Sequence, residues 1–520
     1  MSQRPNHLPV PNPTPSYWRS QLDELDNHQT VPELPSQCDI LIVGGGYVGV
    51  STAYHLLKAI SSSSSSSPKP RVVLLEARNT SSGATGRNGG HLRPDLTSAP
   101  AQLLERYGPE AASAVAQFEV DHVDAIAQLV RAEQIDCDFT IEPAGLEVFT
   151  TKEQLAAGKR RFAQLRAHPA SFGTLLDGVR FYEGDDAPAH TGVRAAKGYF
   201  VSRVAHLSPY KFTLALLSRA LELGLVLKTH TPVLSIGKET NPPPQHSGQP
   251  QYLITTPHGT LTAAQLILAT NAYTSALLPE YSAAIIPCRG LACHISPAPA
   301  TTPTPSSGPT QLPRLPSTSL CLRVATPSGI PGYHYLIQRP DAERSIVVGG
   351  AHHTYKFAAT TTTTDSEGRD RRGVWYNTVD DASFIEGARE FYCDESEDGG
   401  FMARTFGPAS SSTSNTEKGT THTTTGWATV PTQVDHVWTG IMGYSADSLP
   451  HIGEVPGREG VFVLAGFHGH GMPVGYLAAK GVVEMVVGGK VYEETGLPGV
   501  CKTTGERLKP VWDDILGDGK

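Results

Sequence analysis

A mixed α/β fold (α+β overall), with a parallel-sheet domain discontinuous in sequence and a mainly antiparallel domain inserted into it, is predicted by three observations. The apolar run Ile40-Leu41-Ile42-Val43 leads directly into Gly44-Gly45-Gly46-Tyr47-Val48-Gly49, which opens a helix-like stretch from Val50 to Ile60. A second apolar strand, Arg71 to Leu75, ends in Glu76. Pieces of the same kind recur in the middle and at the end of the chain, separated by about 100 residues or more that must fold into something else.

The first two observations describe a Rossmann-like dinucleotide unit. The first glycine permits a tight turn, the second lets backbone approach a pyrophosphate, and the third lets helix and strand pack closely. The helix start presents bare N–H groups and a positive dipole end to phosphates. Glu76 is placed to accept hydrogen bonds from ribose hydroxyls. It lies 27 residues after Gly49, beyond the usual spacing of about 20, and the homopolymer Ser61–Ser67 accounts for the excess as a polar insert. Glu76 alone serves the ribose of NAD as well as that of FAD. A glycine turn that binds nothing is the alternative, against which strand, spacing and acid agree.

At 520 residues the chain exceeds the usual single domain. A net charge of −8, spread without long runs, gives no electrostatic case for nucleic acid or anionic membrane. The 7 cysteines are scattered without a CxxC pair, which argues against a disulfide framework or structural zinc and suits a reducing, cytoplasmic setting. The Pro- and Asn-rich start lacks the apolar core of a signal peptide. No stretch approaches the ~20 apolar residues of a membrane span.

Along the chain, residues 1–36 read as an extended arm that Tyr17-Trp18 can anchor, a loosely packed leader being the alternative. Segments 37–100, 195–290 and 430–495 are assigned to the nucleotide domain. Segments 101–194 and 291–429 are assigned to the substrate domain, and 496–520 to a tail. From Ala101 to Arg166 the pattern is helical. Ser208 to Leu223 is a helix, with Ser208 as N-cap, Pro209 in the first turn and Gly224 just past the end. Leu266 to Ala272 reads as a buried central strand running into a loop. The Pro/Thr/Ser-rich stretches 297–318, 359–372 and 409–426 read as surface loops. Strands follow at Gly332–Arg339, Ser345–Gly350, Val437–Ile441 and Val461–Ala465, and a last helix runs from about Val474 to Val487.

These motifs in combination resemble the D-amino-acid oxidase/glycine oxidase superfamily of FAD amine oxidoreductases. The block Ser82-Gly83-Ala84-Thr85-Gly86-Arg87-Asn88-Gly89-Gly90 is close to that of the gamma-glutamylputrescine oxidoreductase branch. Leu266–Ala272, Ile286-Pro287-Cys288-Arg289-Gly290, Gly443–Gly453 and Gly466–Gly471 match later segments of the superfamily. The resemblance covers roughly residues 17–490; the low-complexity inserts depart from it.

The resemblance implies FAD, since a bare NAD domain has no use for Ala269-Thr270-Asn271 or Gly466–Gly471. It implies cofactor contacts at Gly44, Gly46, Tyr47, Val48 and Gly49, and at Glu76-Ala77-Arg78. The loop Gly83-Ala84-Thr85 with Arg87-Asn88-Gly89-Gly90 would pass along the ring and ribityl chain, with Arg87 or Asn88 as donors. The Val233 backbone would meet the adenine. Ala269, Thr270, Asn271, Gly443, Gly466, His468, Gly469, His470 and Gly471 complete the set. The loop from Gly466 leads into the last helix, whose N-terminus, aided by an imidazole, can stabilise the negative charge of a reduced flavin. His91 and the cysteines, among them Cys288, Cys293, Cys321 and Cys393, could attach FAD covalently, but no motif singles one out and non-covalent FAD is expected.

Candidate catalytic side chains are His470, Tyr444 and Tyr335. Strand alternation places Tyr333 and Tyr335 on one face, and Arg339 can clamp a carboxylate; a packed aromatic or a solvated arginine is equally consistent with these positions. His352-His353 has no partner at metal-ligand spacing, and no metal is assigned. The expected reaction is oxidation of a C–N bond in a small amine or amino acid, by hydride transfer to flavin N5. The imine would hydrolyse, and O2 would reoxidise the flavin to give hydrogen peroxide. A flavin dehydrogenase acting on a hydroxy acid or using another acceptor, and a non-catalytic FAD-binding assembly protein, are the alternatives.

Overall fold

The computed structural model describes residues 8–63, 68–239, 251–299, 311–325, 332–351, 386–393, 400–407, 427 and 430–509. The expected loops at 359–372 and 409–426, most of 297–318, and His352-His353 lie outside the described residues. The first ten strands are β1 (Gln37–Val43), β2 (Val72–Leu75), β3 (His91–Leu92), β4 (Thr140–Phe149), β5 (Arg180–Glu183), β6 (Gly198–His206), β7 (Val226–Lys228), β8 (Ser235–Lys238), β9 (Tyr252–Thr256) and β10 (Gly259–Leu268). They are followed by β11 (Ile285–Pro297), β12 (Ser319–Val324), β13 (Gly332–Gln338), β14 (Ile346–Gly349), β15 (Thr432–Ser445), β16 (His451–Glu454) and β17 (Val461–Ala465). Four helices frame the site: α1 (Tyr47–Ser62), α2 (Pro109–Ala132), α3 (Pro209–Glu222) and α4 (Gly475–Val486).

The first sheet has the order β16-β17-β10-β1-β2-β7, with β9 attached to β10 and β8 to β9. From β17 to β7 its neighbours are parallel. Such a sheet needs cover on both faces, which explains near-continuous apolar runs. Alternation in β1 sends Ile40 and Ile42 into one core with α1, and Leu41 and Val43 into another with Tyr252 and Tyr281. The chain leaves β1 for β2 on one side and returns to β10 on the other. Val43 lies level with both Leu75 and Leu268, so three strands end together and open a crevice where strand order reverses.

The second sheet runs β15-β11-β14-β13-β12-β4-β6-β3, with β5 on β6. All its pairings are antiparallel except β4 with β12. Two sequence assignments change here. The helical reading of Ala101–Arg166 is interrupted by β4, whose Leu146-Glu147-Val148-Phe149 lies parallel to β12 and antiparallel to β6; the flanking helices masked a strand whose pairing is non-local. And β6 and β15, placed by sequence within the nucleotide segments, belong to the second sheet, as does β11, of which only 285–290 was so placed. β11 and β15 form one ladder from Ile285↔Ser445 to Pro297↔Thr432, long enough to run from the first domain out into the second.

The arm is anchored rather than loosely packed. Trp18 is 5% exposed and its indole donates to Asn88 O at 2.6 Å. The buried Asp26 carboxylate takes Arg19 bidentately (2.8 and 2.7 Å) and Tyr210 Oη at 2.9 Å. Among the described residues no helix is long and apolar enough to cross a membrane.

Candidate active site

A single cavity of about 500 Å³ opens at the ends of β1, β2 and β10 and extends beneath the second sheet. Val43, Gly44, Gly46, Tyr47 and Val48 wall its first end. Gly44 has φ +112°, and a Cβ there would sit 2.6 Å from Ala269 O. A Cβ on Gly49 would lie 1.9 Å from Gly44 O; Gly49 is off the wall, and its role is the close approach of α1 to β1. Tyr47 N–H is taken by Thr85 Oγ1 at 2.8 Å, which ties the loop after β2 to the start of α1. Glu76 accepts Gly45 N–H at 2.6 Å on one oxygen and Arg78 N–H at 2.8 Å on the other. Each carboxylate oxygen keeps a further lone pair on the cavity wall. Ala77, Arg78, Thr231 and Val233 close this end.

Gly83, Ala84, Thr85, Arg87, Asn88 and Gly89 form the middle of the wall. The expectation that the Arg87 or Asn88 side chain supplies donors to a ligand is corrected. Arg87 Nε donates to Ser82 O (2.8 Å), Nη1 to Thr439 O (2.7 Å) and Nη2 to Thr14 O (2.7 Å). Asn88 Nδ2 donates to Thr85 O (2.9 Å), and its Oδ1 accepts Gly90 N–H (2.7 Å). A buried polar group must be paired, and here the pairing shapes the loop itself. Gly90, at φ +78°, sits off the wall against Leu207 O.

Opposite stand Ala269, Thr270 and Asn271 with Tyr444, His468, Gly469, His470 and Gly471. Asn271 Oδ1 accepts Gly466 N–H (3.1 Å) and Phe467 N–H (3.2 Å), joining the ends of β10 and β17. A Cβ on Gly443 would come within 2.5 Å of that oxygen; Gly443 and Gly466 are off the wall and make this joint possible. His468 stacks on Tyr444 with centroids 4.4 Å apart, and burial lowers its pKa to about 4, leaving a neutral imidazole. His470 Nε2 lies 3.0 Å from Glu119 Oε2. Glu119, on α2 and 5% exposed, also accepts Asp95 N–H at 2.8 Å. Burial opposes the imidazolium, but the charge and hydrogen bond of Glu119 outweigh it and raise the His470 pKa.

That pair has a measurable consequence. A folded-state pKa above the unfolded value of about 6.5 adds stability that is complete below that value and lost as pH rises through the folded pKa. The melting temperature of wild type over Glu119→Gln should therefore exceed the variant's most near pH 6, with the gap narrowing toward pH 9. A gap independent of pH would contradict the pairing.

The far end of the cavity is where sequence reasoning was blind. His91, Arg93, Asp95, Thr97, Glu147 and Arg323 reach the wall here, along with Cys321, Tyr333 and Tyr335. Arg323 Nε pairs with Glu147 Oε1 at 2.9 Å, and its guanidinium lies 4.5 Å from the Tyr333 ring centroid. Glu147 Oε2 accepts Thr97 Oγ1 at 2.8 Å. Asp95 accepts the N–H groups of Thr97, Ser98 and Ala99; burial raises its pKa, these bonds lower it, and the bonds prevail. Arg93 Nη1 and His91 Nε2 are both buried here without a hydrogen-bond partner, and of the two only the guanidinium carries a positive charge for an anionic ligand. Arg339, the arginine chosen from sequence, is not on the wall. It is paired with Asp138 at 2.9 Å and lies over Trp18 at 4.8 Å. Of the described cysteines only Cys321 reaches the wall, where its Sγ lies 2.9 Å from Tyr333 Oη.

The fold is that of a dinucleotide-binding class: a cavity opens at the switch point of a parallel sheet and continues beneath an antiparallel one. More particularly, the chain belongs to the FAD dependent oxidoreductase (DAO) family, whose model matches residues 39–485. It is 33% identical to gamma-glutamylputrescine oxidoreductase of Escherichia coli (strain K12) over 143 residues, 28% of this chain and 31% of that protein. Among solved structures it resembles glycine oxidase from Geobacillus kaustophilus, with TM-score 0.53, 19% identity and coverage of 86% and 95% of the two chains. It also resembles L-amino acid deaminase from Proteus myxofaciens, with TM-score 0.60, 15% identity and coverage of 96% and 98%. At such identities the structures speak for the fold alone. The family's cofactor is FAD, and the residues fit it. Glu76 offers acceptors for ribose hydroxyls, and the buried Arg78 Nε and Ser81 Oγ on the same wall lack partners, as donors awaiting ligand oxygens do.

Proposed function

We propose that this protein oxidises the C–N bond of a small amine that carries a carboxylate, that is, an amino acid or an N-substituted amino acid. The observation that carries the reading is one continuous cavity joining Glu76, at the nucleotide end, to Arg93, whose buried Nη1 has no partner. Non-covalently bound FAD would supply the two-electron oxidation of the carbon that bears nitrogen, with dioxygen as the electron acceptor and hydrogen peroxide as the product. Arg93 holds the substrate carboxylate. Tyr335, whose phenol burial pushes up to about 12, stays neutral and walls the amine end with Tyr444. The amine reacts in its neutral form, and the imine product hydrolyses in water.

Asp95 and Glu147 are committed to backbone N–H groups, Thr97 and Arg323, so neither serves as a base. The six described cysteines that are free thiols support a reducing, cytoplasmic setting. Arg93→Met should remove about 2–3 kcal/mol of substrate binding, roughly 30- to 150-fold in KM. Turnover of the decarboxylated analogue should be unchanged. Equal losses on both substrates would contradict the carboxylate role.

A further inference from the structure

Outside the cavity, one cluster of side chains has the composition of a metal centre. His294 on β11 stands directly opposite His436 on β15, and the next pair along the ladder is Ile295 with Val434. Asp435 is therefore an extra residue, a bulge in β15. In a regular strand Asp435 and His436 would point to opposite faces. The bulge breaks that alternation and re-aims a side chain, so both residues face His294. His294 Nδ1 lies 2.7 Å from Asp435 Oδ1, and His436 Nδ1 lies 3.1 Å from the same oxygen. The donor atoms of the three side chains all fall within 4.8 Å of one another.

We propose that His294, Asp435 and His436 bind one divalent first-row cation, of the zinc class, as a structural clamp between β11 and β15. Two imidazoles and a carboxylate suit zinc, whose ligand bonds of about 2.0–2.2 Å need donors only slightly farther apart than these. Each N···O contact is satisfied either by an imidazole N–H donating to the carboxylate or by a cation held between the two groups. One cation serves all three donors, where protons serve them pair by pair. The carboxylate is oriented from behind by Ser296 Oγ, which donates to Asp435 Oδ2 at 3.2 Å and accepts Gln433 Nε2 at 3.2 Å, the support that metal-binding carboxylates require. Tyr17 of the arm stacks on His294 at 3.6 Å with rings 8° from parallel, and meets His436 edge-on. The His294 side chain is 4% exposed, while Asp435 and His436 are 30% and 31% exposed, so the cation has a path in and a position left for water. None of the three lines the cavity, which makes the role structural: the clamp joins the long ladder to the arm.

The test uses tag-free holoenzyme, dialysed against EDTA and titrated with zinc chloride by calorimetry, with retained zinc counted after gel filtration. One equivalent should bind in the micromolar range or tighter. His436→Ala and Asp435→Ala, both at half-buried positions, should weaken binding by about 100-fold or more with the flavin spectrum intact. His190→Ala, at an exposed His–Asp pair 3.6 Å apart, should leave it unchanged. In wild type, zinc should also protect His436 from diethyl pyrocarbonate, a readout that survives if the variants misfold. No bound equivalent, or binding that persists in both variants without protection of His436, overturns the proposal.

Discussion

Deleting residues 1–20 should convert a yellow, FAD-saturated protein into one that loses its cofactor on gel filtration. The arm closes the cavity. Leu8 and Pro9 are part of its wall, and Arg78 Nη1 donates to Val10 O at 2.8 Å. Arg87 Nη1 and Nη2 reach Thr14 at 3.0 and 2.7 Å. The Ser16 hydroxyl donates to Gly86 O, and Trp18 covers Asn88. Every one of these contacts falls on the segment 78–88. Without the arm, two buried guanidinium groups lose partners, at about 1–3 kcal/mol for each unsatisfied group, and loss of the Trp18 side chain adds about 3–5 kcal/mol. Flavin released into the low-molecular-weight fraction, measured by fluorescence, should rise from a trace to most of the total. Retention of stoichiometric FAD by the deleted protein would show that the arm is ornamental.

The second large effect belongs to Gly49. Its hypothetical Cβ lies 1.9 Å from Gly44 O and 3.4 Å from Ala269 Cβ, and both neighbours are held by the sheet, so the strain falls on backbone. Overpacking a core side chain costs about 1–3 kcal/mol, and a backbone clash at the glycine turn should exceed that. Gly49→Ala is expected to be insoluble or colourless. Gly173→Ala, at a glycine off the cavity wall, meets nothing within 4 Å and should bind FAD as wild type does. The contrast separates a glycine required by packing from one that is not. Equal behaviour of the two variants would refute it.

The same contrast explains what could be read from the chain. Gly44, Gly49 and Glu76 were legible because they answer local demands: a turn that needs φ > 0, a helix that must touch its strand, an acid at a strand end. The helix after Ser208 was legible for the same reason, and Ser208 Oγ does accept Lys211 N–H at 3.4 Å. Arginines were not legible, because pairing depends on elements far away in sequence. Arg339 is neutralised by Asp138 across 201 residues, and Arg87 is held by Thr439 across 352. Arg93, whose Nη1 has no hydrogen-bond partner, follows β3, a strand too short to carry a pattern. β4 was hidden for a related reason, since its partners are β6 and β12 and no local signal outweighed the flanking helices. Asp435 and His436 are adjacent in sequence, and only the bulge makes them neighbours of His294.

The central claim is that one cavity holds FAD at the Glu76 end and a carboxylate-bearing amine at the Arg93 end. Anaerobic mixing of the purified yellow protein with paired compounds, each amino acid beside its decarboxylated amine, tests it most directly. Faster bleaching of the flavin band near about 450 nm by at least one amino acid or N-substituted amino acid than by its matched amine at equal concentration is the predicted result. A flavin that stays oxidised with every carboxylate-bearing amine, or that is bleached equally well by amines without a carboxylate, would contradict the account.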